Sequence, residues 1–305
     1  MRWFTFLLEV SRVISLRAPR PGVTIIELIV ALGVVLIVLL GVLAWLPAAR
    51  EQGRRTSCLR NLQQIGVGLA LFDTVTGRLP RVPNDRAGTA PLPAILAQLG
   101  LTEFAAIDAS APRSAQTPIP PPAPRMMLDL ICPADTAAST RGFVAPVSYR
   151  ANTGETVHGG DGPFAPGRTL SLAQVNSADG TEFTIGFAER LVGTNSPTPD
   201  PANYTLVADQ LASGCGPSND WHGDAGSDWS ALGWVSTLYN HALRPNQSPS
   251  CIAADGHSAR IGSSSAHPDG VHVLWLDGRA GPIRSSIDQA VWQSLATVGS
   301  PAPTP

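Results

Sequence analysis

Lysine is missing from this 305-residue chain, and all 21 of its basic residues are arginine. So uniform a choice reads as a biased genome and carries no functional weight. Charged residues are sparse at 14%, and aromatics make up 6%. The chain contains no G-x-S-x-G, H-E-x-x-H, G-x-x-x-x-G-K-S/T or G-x-G-x-x-G. The nucleophile elbow, the zincin helix, the phosphate loop and the dinucleotide turn therefore have no foothold. There is no C-x-x-C, and Cys58, Cys132, Cys215 and Cys251 are too widely spaced for zinc-type pairing. Formal charge is −2 overall, yet residues 1–60 hold eight Arg against three acids, leaving the remainder at −7. A mildly acidic bulk argues against a nucleic-acid partner.

What the chain does have is one long apolar run. Residues 23–46 are apolar at 20 of 24 positions, the others being Thr24, Glu27, Gly33 and Gly41. As a helix the run measures about 36 Å at ~1.5 Å per residue, enough to cross a hydrocarbon core and contact membrane lipid. It is too long for a secretory signal core, no small-x-small site follows it, and no cysteine is placed for a lipoprotein anchor. An ionised Glu27 inside such a span costs roughly 2.5 kcal/mol or more, so it needs a reason. Cleavage after Gly22 would supply one, because the new amine of Val23 would lie one helical turn from Glu27, on the same or a neighbouring helix.

Residues 22–30, Gly-Val-Thr-Ile-Ile-Glu-Leu-Ile-Val, resemble the processing site of type IV prepilins and type II secretion pseudopilins. The resemblance implies cleavage after Gly22 by a prepilin peptidase, N-methylation of residue 23, and lateral packing with other pilin-like subunits. Val23 stands where such proteins usually carry Phe. The competing reading is an ordinary signal anchor with a stray glutamate. Arginines flank the span on both sides, Arg2, Arg12, Arg17 and Arg20 before it and Arg50, Arg54, Arg55 and Arg60 after it. Charge alone leaves topology open. The motif then places a leader, residues 1–22, in the cytoplasm, and the head beyond a single pass of the bacterial inner membrane, periplasmic or at the cell surface.

Beyond the transmembrane helix, 23–46, Cys58, Leu62, Ile65, Leu69 and Phe72 step by four and three, the stripe of an amphipathic stalk helix over 47–76 that stops at Thr76-Gly77. An exported head of residues 77–299 and a tail of 300–305 follow. Within the head, six prolines between residues 112 and 124 predict an extended excursion. Residues 128–132, 144–150 and 183–188 read as strands, and 200–250 is the least readable stretch. Residues 271–276 alternate Val, Val and Trp with His, Leu and Leu, then turn at Asp277-Gly278 into a second strand ending near Ile283. Ser286 can cap a last helix bearing Ile287, Val291, Trp292 and Leu295. An even cysteine count in an oxidising compartment favours disulfides, with Cys58–Cys132 and Cys215–Cys251 preferred among three connectivities. Buried free thiols are the alternative.

The segment from His267 to Gly278, His-Pro-Asp-Gly-Val-His-Val-Leu-Trp-Leu-Asp-Gly, resembles the His, nine residues, Asp-Gly signature that closes a large bacterial family of unknown function with prepilin-type N-termini. Further matching pieces begin at Cys58, Cys132, Ser148 and Asp179 and follow the family's order. The resemblance implies an α+β, pilin-like fold: a long N-terminal helix packed on a mainly antiparallel β head with a C-terminal hairpin and short helix. It implies no chemistry.

His267 and Asp277 invite an enzymatic reading, but Asp277-Gly278 is hairpin-turn chemistry, and no catalytic constellation surrounds the pair in the sequence. Asp220, Asp224 and Asp228, with His222 among them, are calcium candidates, although they lack the ligand order and closing Glu of a calcium loop. The leading expectation is a structural prepilin- or pseudopilin-like subunit without enzymatic activity or required cofactor. The alternative is a membrane-anchored module that binds a glycan, wall polymer or exported substrate through Trp221, Trp229, Trp234 or Trp275.

Overall fold

The computed structural model describes residues 22, 24–84, 90–101, 125–208, 211 and 214–299. Residues 1–21 of the leader, Val23, the proline-rich excursion and the tail lie outside the described residues. The chain divides into two units, residues 1–49 and residues 50–305. Helix α1 is assigned over Ile25–Thr76, with Pro47 inside it. In the first unit its described large apolar side chains, Ile25, Ile29, Leu36, Ile37 and Leu40 among them, are all exposed. This part is long and apolar enough to cross a membrane.

In the second unit α1 turns amphipathic. Cys58, Leu62, Ile65, Leu69 and Phe72, the five residues of the stripe, are all buried. Gly77, at φ 72°, ends the helix in the left-handed region that glycine enters without steric cost. Helix α2, Pro91–Gln98, packs across α1 where Gly68 removes the obstacle: a Cβ there would lie 2.7 Å from Ile95 Cγ2 and 2.9 Å from the Ile95 carbonyl oxygen. Gly66 likewise admits Leu274 and the backbone of Gly278.

The strands form two sheets. The larger contains β1 (Tyr149–Asn152), β2 (Ile185–Glu189), β5 (Leu238–Tyr239), β8 (Gly270–Trp275) and β9 (Ala280–Arg284), in the order β5-β1-β2-β8-β9. The smaller contains β3 (Tyr204–Val207), β4 (Trp221–His222), β6 (Ser250–Ala253) and β7 (Ala259–Arg260), in the order β4-β3-β6-β7. Pairing is antiparallel except between β1 and β5 and between β3 and β6. Both parallel pairs join strands far apart in sequence, as parallel pairing requires. The α+β architecture expected from the sequence is present: a long apolar helix, a sheet-rich head that carries helix α3 (Leu172–Ala178), and a short C-terminal helix, α4 (Gln289–Ser294).

Several local expectations shift. Residues 128–132 form a 3-10 turn, Leu128–Leu130, and the Leu130 carbonyl accepts from the Ser148 amide. Strand β1 starts at Tyr149, while Ala145 makes an isolated bridge to Asp228. The cap of α4 is Asp288, whose carboxylate accepts from the amides of Ala290 and Val291 at 2.8 and 3.2 Å, two residues later than the Ser286 expected. A carboxylate is both a good acceptor and a favourable charge at a helix N-terminus.

Buried polar side chains hold the short strands. Asn152 donates to the carbonyls of Ile185 and Ala296, and Arg190 to Ser250, Gly262 and Asn203. Asn240 donates to the Ala259 carbonyl. Trp292 of α4 stacks on His241 at 3.6 Å, and burial pushes that imidazole down to about 3, which keeps it neutral.

Glycines in α1 separate helix propensity from packing. Gly53 meets nothing within 4 Å, so Gly53→Ala should stabilise the folded chain by about 0.5–1 kcal/mol. Gly68→Ala should instead destabilise by about 1–3 kcal/mol through overpacking against Ile95. Urea denaturation of the two variants in detergent checks the opposite signs.

Candidate functional site

Two places in the chain concentrate chemistry that packing alone does not demand. The first is the start of α1. Thr24 precedes the first helical residue, and its hydroxyl oxygen accepts from the Glu27 amide at 3.3 Å. In return, Glu27 Oε2 accepts from the Thr24 amide at 2.9 Å and from its hydroxyl at 3.0 Å. This is a capping box, Thr at the N-cap and Glu three residues on. Gly22 is exposed beside it, and Val23 lies outside the described residues.

The second is a chain of charge between α1 and the larger sheet that runs from buried Glu189 and His267 out to exposed Asp269. Glu189 closes β2 and faces β8, where His272 donates its backbone N–H to Glu189 Oε2 at 2.9 Å and places Nδ1 3.0 Å from Oε1. His267, in the loop before β8, packs its ring edge-on to His272 at 4.3 Å. Its Nε2 is 3.7 Å from Glu189, and its Nδ1 is 2.7 Å from Glu51 Oε1 on α1. Glu51 in turn pairs with Arg55 one turn along, and Arg55 reaches Asp269 at 2.7 Å. His267 is 5% exposed and Glu189 1%.

Burial by itself would raise the Glu189 carboxyl, but hydrogen bonds from His267 and His272 overcome it and bring it down to about 2. Burial opposes charge on His267 too, and the flanking Glu189 and Glu51 raise it above its ordinary value. Glu51 is held below the usual range by His267 and Arg55 against its own desolvation. The arrangement therefore favours an imidazolium between two carboxylates.

Cysteine chemistry adjoins this chain. Cys58 of α1 is bonded to Cys132, 74 residues away, and Cys132 Sγ lies 3.5 Å from His267 Nε2. Cys215 is bonded to Cys251 of β6, with a separation of 36 residues. Both Cα distances, 5.1 and 5.7 Å, suit disulfides.

The other residues singled out from sequence are not drawn together. Asp277 sits at the far end of β8 from His267, where its carboxylate accepts from the Arg279 amide and Gly278 adopts φ 88°. Asp220 contacts His222, Asp224 accepts from the Tyr204 hydroxyl, and Asp228 accepts from Ser230. Three acids thus serve three local contacts. Trp229, Trp234 and Trp275 are buried, and Trp275 lies under the Arg279 guanidinium at 4.0 Å, so they form no exposed aromatic platform.

Sequence reasoning missed Glu51, Glu189 and His272. A trace of each was present: Glu51 precedes Arg54 and Arg55 by three and four residues, Glu189 ends an apolar strand, and His272 shares a face of β8 with Leu274. The T-x-x-E pattern of Thr24 and Glu27 was also legible.

Stability should follow these ionisations. Glu189, with its folded value near 2 against 4.5 when free, contributes on the order of 3 kcal/mol that is present above pH 4.5 and lost as pH falls towards 2. His267, raised, contributes stability that is complete below about pH 6.5 and lost as pH climbs through its folded value. Denaturant titrations of the disulfide-bonded protein across pH should give a maximum between those limits. Glu189→Gln should flatten the acid limb and cost about 3–5 kcal/mol at pH 6, because it leaves buried partners uncompensated.

A protein-family model described as "Protein of unknown function (DUF1559)" matches residues 47–290, most of the chain. No curated protein and no solved structure matches it. The match begins after the apolar run and includes Glu51, Cys58, Cys132, Glu189, His267 and His272. By that match the chain belongs to the DUF1559 family of proteins of unknown function.

Proposed function

We propose that this chain is a prepilin- or pseudopilin-like structural subunit, processed after Gly22 by a prepilin peptidase and assembled with other pilin-like subunits through the exposed apolar face of α1. One observation carries the reading: Gly22, a glutamate five residues on, and a helix whose large apolar side chains are exposed all occur together. In the membrane, lipid covers that surface; in a fibre, neighbouring copies of the same helix do. Both environments satisfy a helix apolar all round its circumference. On this reading the leader faces the cytoplasm, and the head lies in the periplasm or at the cell surface.

The capping box sharpens the role of Glu27. In a single copy the carboxylate stabilises the helix end through Thr24. In an assembly the same carboxylate is the charge available to the amine of an adjacent processed subunit, where low dielectric strengthens the pair. Thr24→Val removes the hydroxyl and spares the carboxylate, whereas Glu27→Gln removes the charge.

Peptide mass analysis of the protein from membranes should find an N-terminus at Val23 only when the prepilin peptidase is present. Crosslinking in those membranes should give multimers for wild type and Thr24→Val, with Glu27→Gln or Glu27→Ala reducing them at least tenfold. An intact leader, or equal loss in the Thr24 and Glu27 variants, would reject fibre assembly through Glu27.

A further inference from the structure

We propose that the dithiol form of the protein binds Zn2+ through Cys58 Sγ, Cys132 Sγ, His267 Nε2 and one carboxylate oxygen of Glu189, exchanging a covalent clasp between α1 and the head for a metal one. The four ligand atoms come from α1, the loop after the 3-10 turn, β2 and the loop before β8, and all lie within 4.8 Å of one another in buried residues. A tetrahedral zinc site with bonds of about 2.0–2.3 Å has ligand-to-ligand edges of roughly 3.3–3.8 Å. Cys132 to His267, at 3.5 Å, and His267 to Glu189, at 3.7 Å, already match such edges.

The outer shell is also in place. A zinc-bound imidazole usually donates its second N–H to a carboxylate, which fixes its tautomer and its aim. His267 has Glu51 2.7 Å from Nδ1, leaving Nε2 to face the sulfur and Glu189. Glu189 is itself oriented by the His272 backbone N–H. A cavity of about 10 Å³ adjoins Cys132 and Glu189, walled by Ser148 and Arg190. Two thiolates, one carboxylate and a neutral imidazole around Zn2+ leave a single negative charge on the site.

The exchange balances. A dithiol reductant gives two electrons and two protons to the Cys58–Cys132 bond, which breaks into two thiols while the reductant closes its own disulfide. Zn2+ then displaces the two thiol protons and the Nε2 proton of His267. The Cys215–Cys251 pair has no such neighbours among the described residues and takes no part. The inference does not depend on prepilin processing.

Full-length protein in detergent, reduced and held under argon, is titrated with Co2+ and then with Zn2+. One equivalent of Co2+ should give the intense visible bands of a tetrahedral site and a near-ultraviolet thiolate charge-transfer band, both bleached by Zn2+. Zn2+ should raise the melting temperature of the reduced protein and leave that of the oxidised protein unchanged. His267→Gln should weaken Co2+ binding about 100-fold, and Glu51→Gln about 10-fold with the spectrum retained. The double variant Cys215→Ser, Cys251→Ser should bind as wild type does. Because Cys58→Ser could fail to fold, the decisive variants are Glu51→Gln and the Cys215/Cys251 pair. The proposal is overturned if the reduced protein takes up no Co2+, if the thiolate band vanishes in the Cys215/Cys251 variant, or if Glu51→Gln binds with unchanged affinity.

Discussion

Docking of the second half of α1 on the larger sheet is the contact on which the rest of the head depends. Leu62, Ile65, Leu69 and Phe72 are buried along one stripe, and each such side chain contributes about 1.5–3 kcal/mol relative to exposure. Around that stripe the polar groups have been cleared or paired. Gly66 and Gly68 remove side chains where the β8–β9 turn and α2 approach, and Asn61 donates to the Ile131 carbonyl and the Tyr149 hydroxyl. Strand β8 is buried along its whole length, so without the helix one of its faces would be open to water. The helix therefore completes the core that the sheet alone cannot close.

The disulfide and the charge chain fasten the same contact by different physics. Cys58–Cys132 closes 74 residues and acts chiefly on the unfolded chain, with stabilisation of about 2–5 kcal/mol. Glu51–His267–Glu189 acts on the folded state, and its cost is desolvation. A buried ion pair repays that cost only when its remaining hydrogen-bonding positions are filled. Here they are: Glu189 receives both a backbone and a side-chain group of His272, and Glu51 is anchored by Arg55. An apolar substitute would also fill the volume, yet it could not specify which loop meets which turn of α1. The charge chain ties His267 and Glu189 to one turn of α1 through Glu51.

Much of this was legible in the sequence, and the reasons for the rest are physical. The α1 stripe could be read because period 3.6 repeats over five residues, and the terminal hairpin because β8 and Asp277-Gly278 are local signals. The smaller sheet could not. Strands β4 and β7 are two residues long, too short to show period two, and the sheet is tied in by Arg190 and Asn240, whose partners Ser250, Gly262 and Thr156 lie 60, 72 and 84 residues away. The 3-10 turn at Leu128–Leu130 was mistaken for a strand because a short apolar run carries no period. The candidate site was half legible. His267 stood out through its signature, but Glu51 and Glu189 are ordinary charges in sequence and become unusual only when the fold sets them on either side of its ring, Glu189 buried and Glu51 partly exposed.

Burial also separates the two glutamates that matter most. Glu27 and Glu189 both sit in apolar surroundings in sequence, yet Glu189 is surrounded by its own chain, while Glu27 is exposed in the isolated protein. A charge paired within its own fold is satisfied before any assembly begins, so Glu189 has nothing to offer a neighbour. Among the described residues Glu27 has Thr24, a neutral partner that satisfies hydrogen bonds but not charge. In a low-dielectric setting that difference grows, since the unneutralised carboxylate is penalised where the neutralised one is not. In the proposed assembly, the amine of an adjacent processed subunit would supply the cation that this carboxylate can pair with.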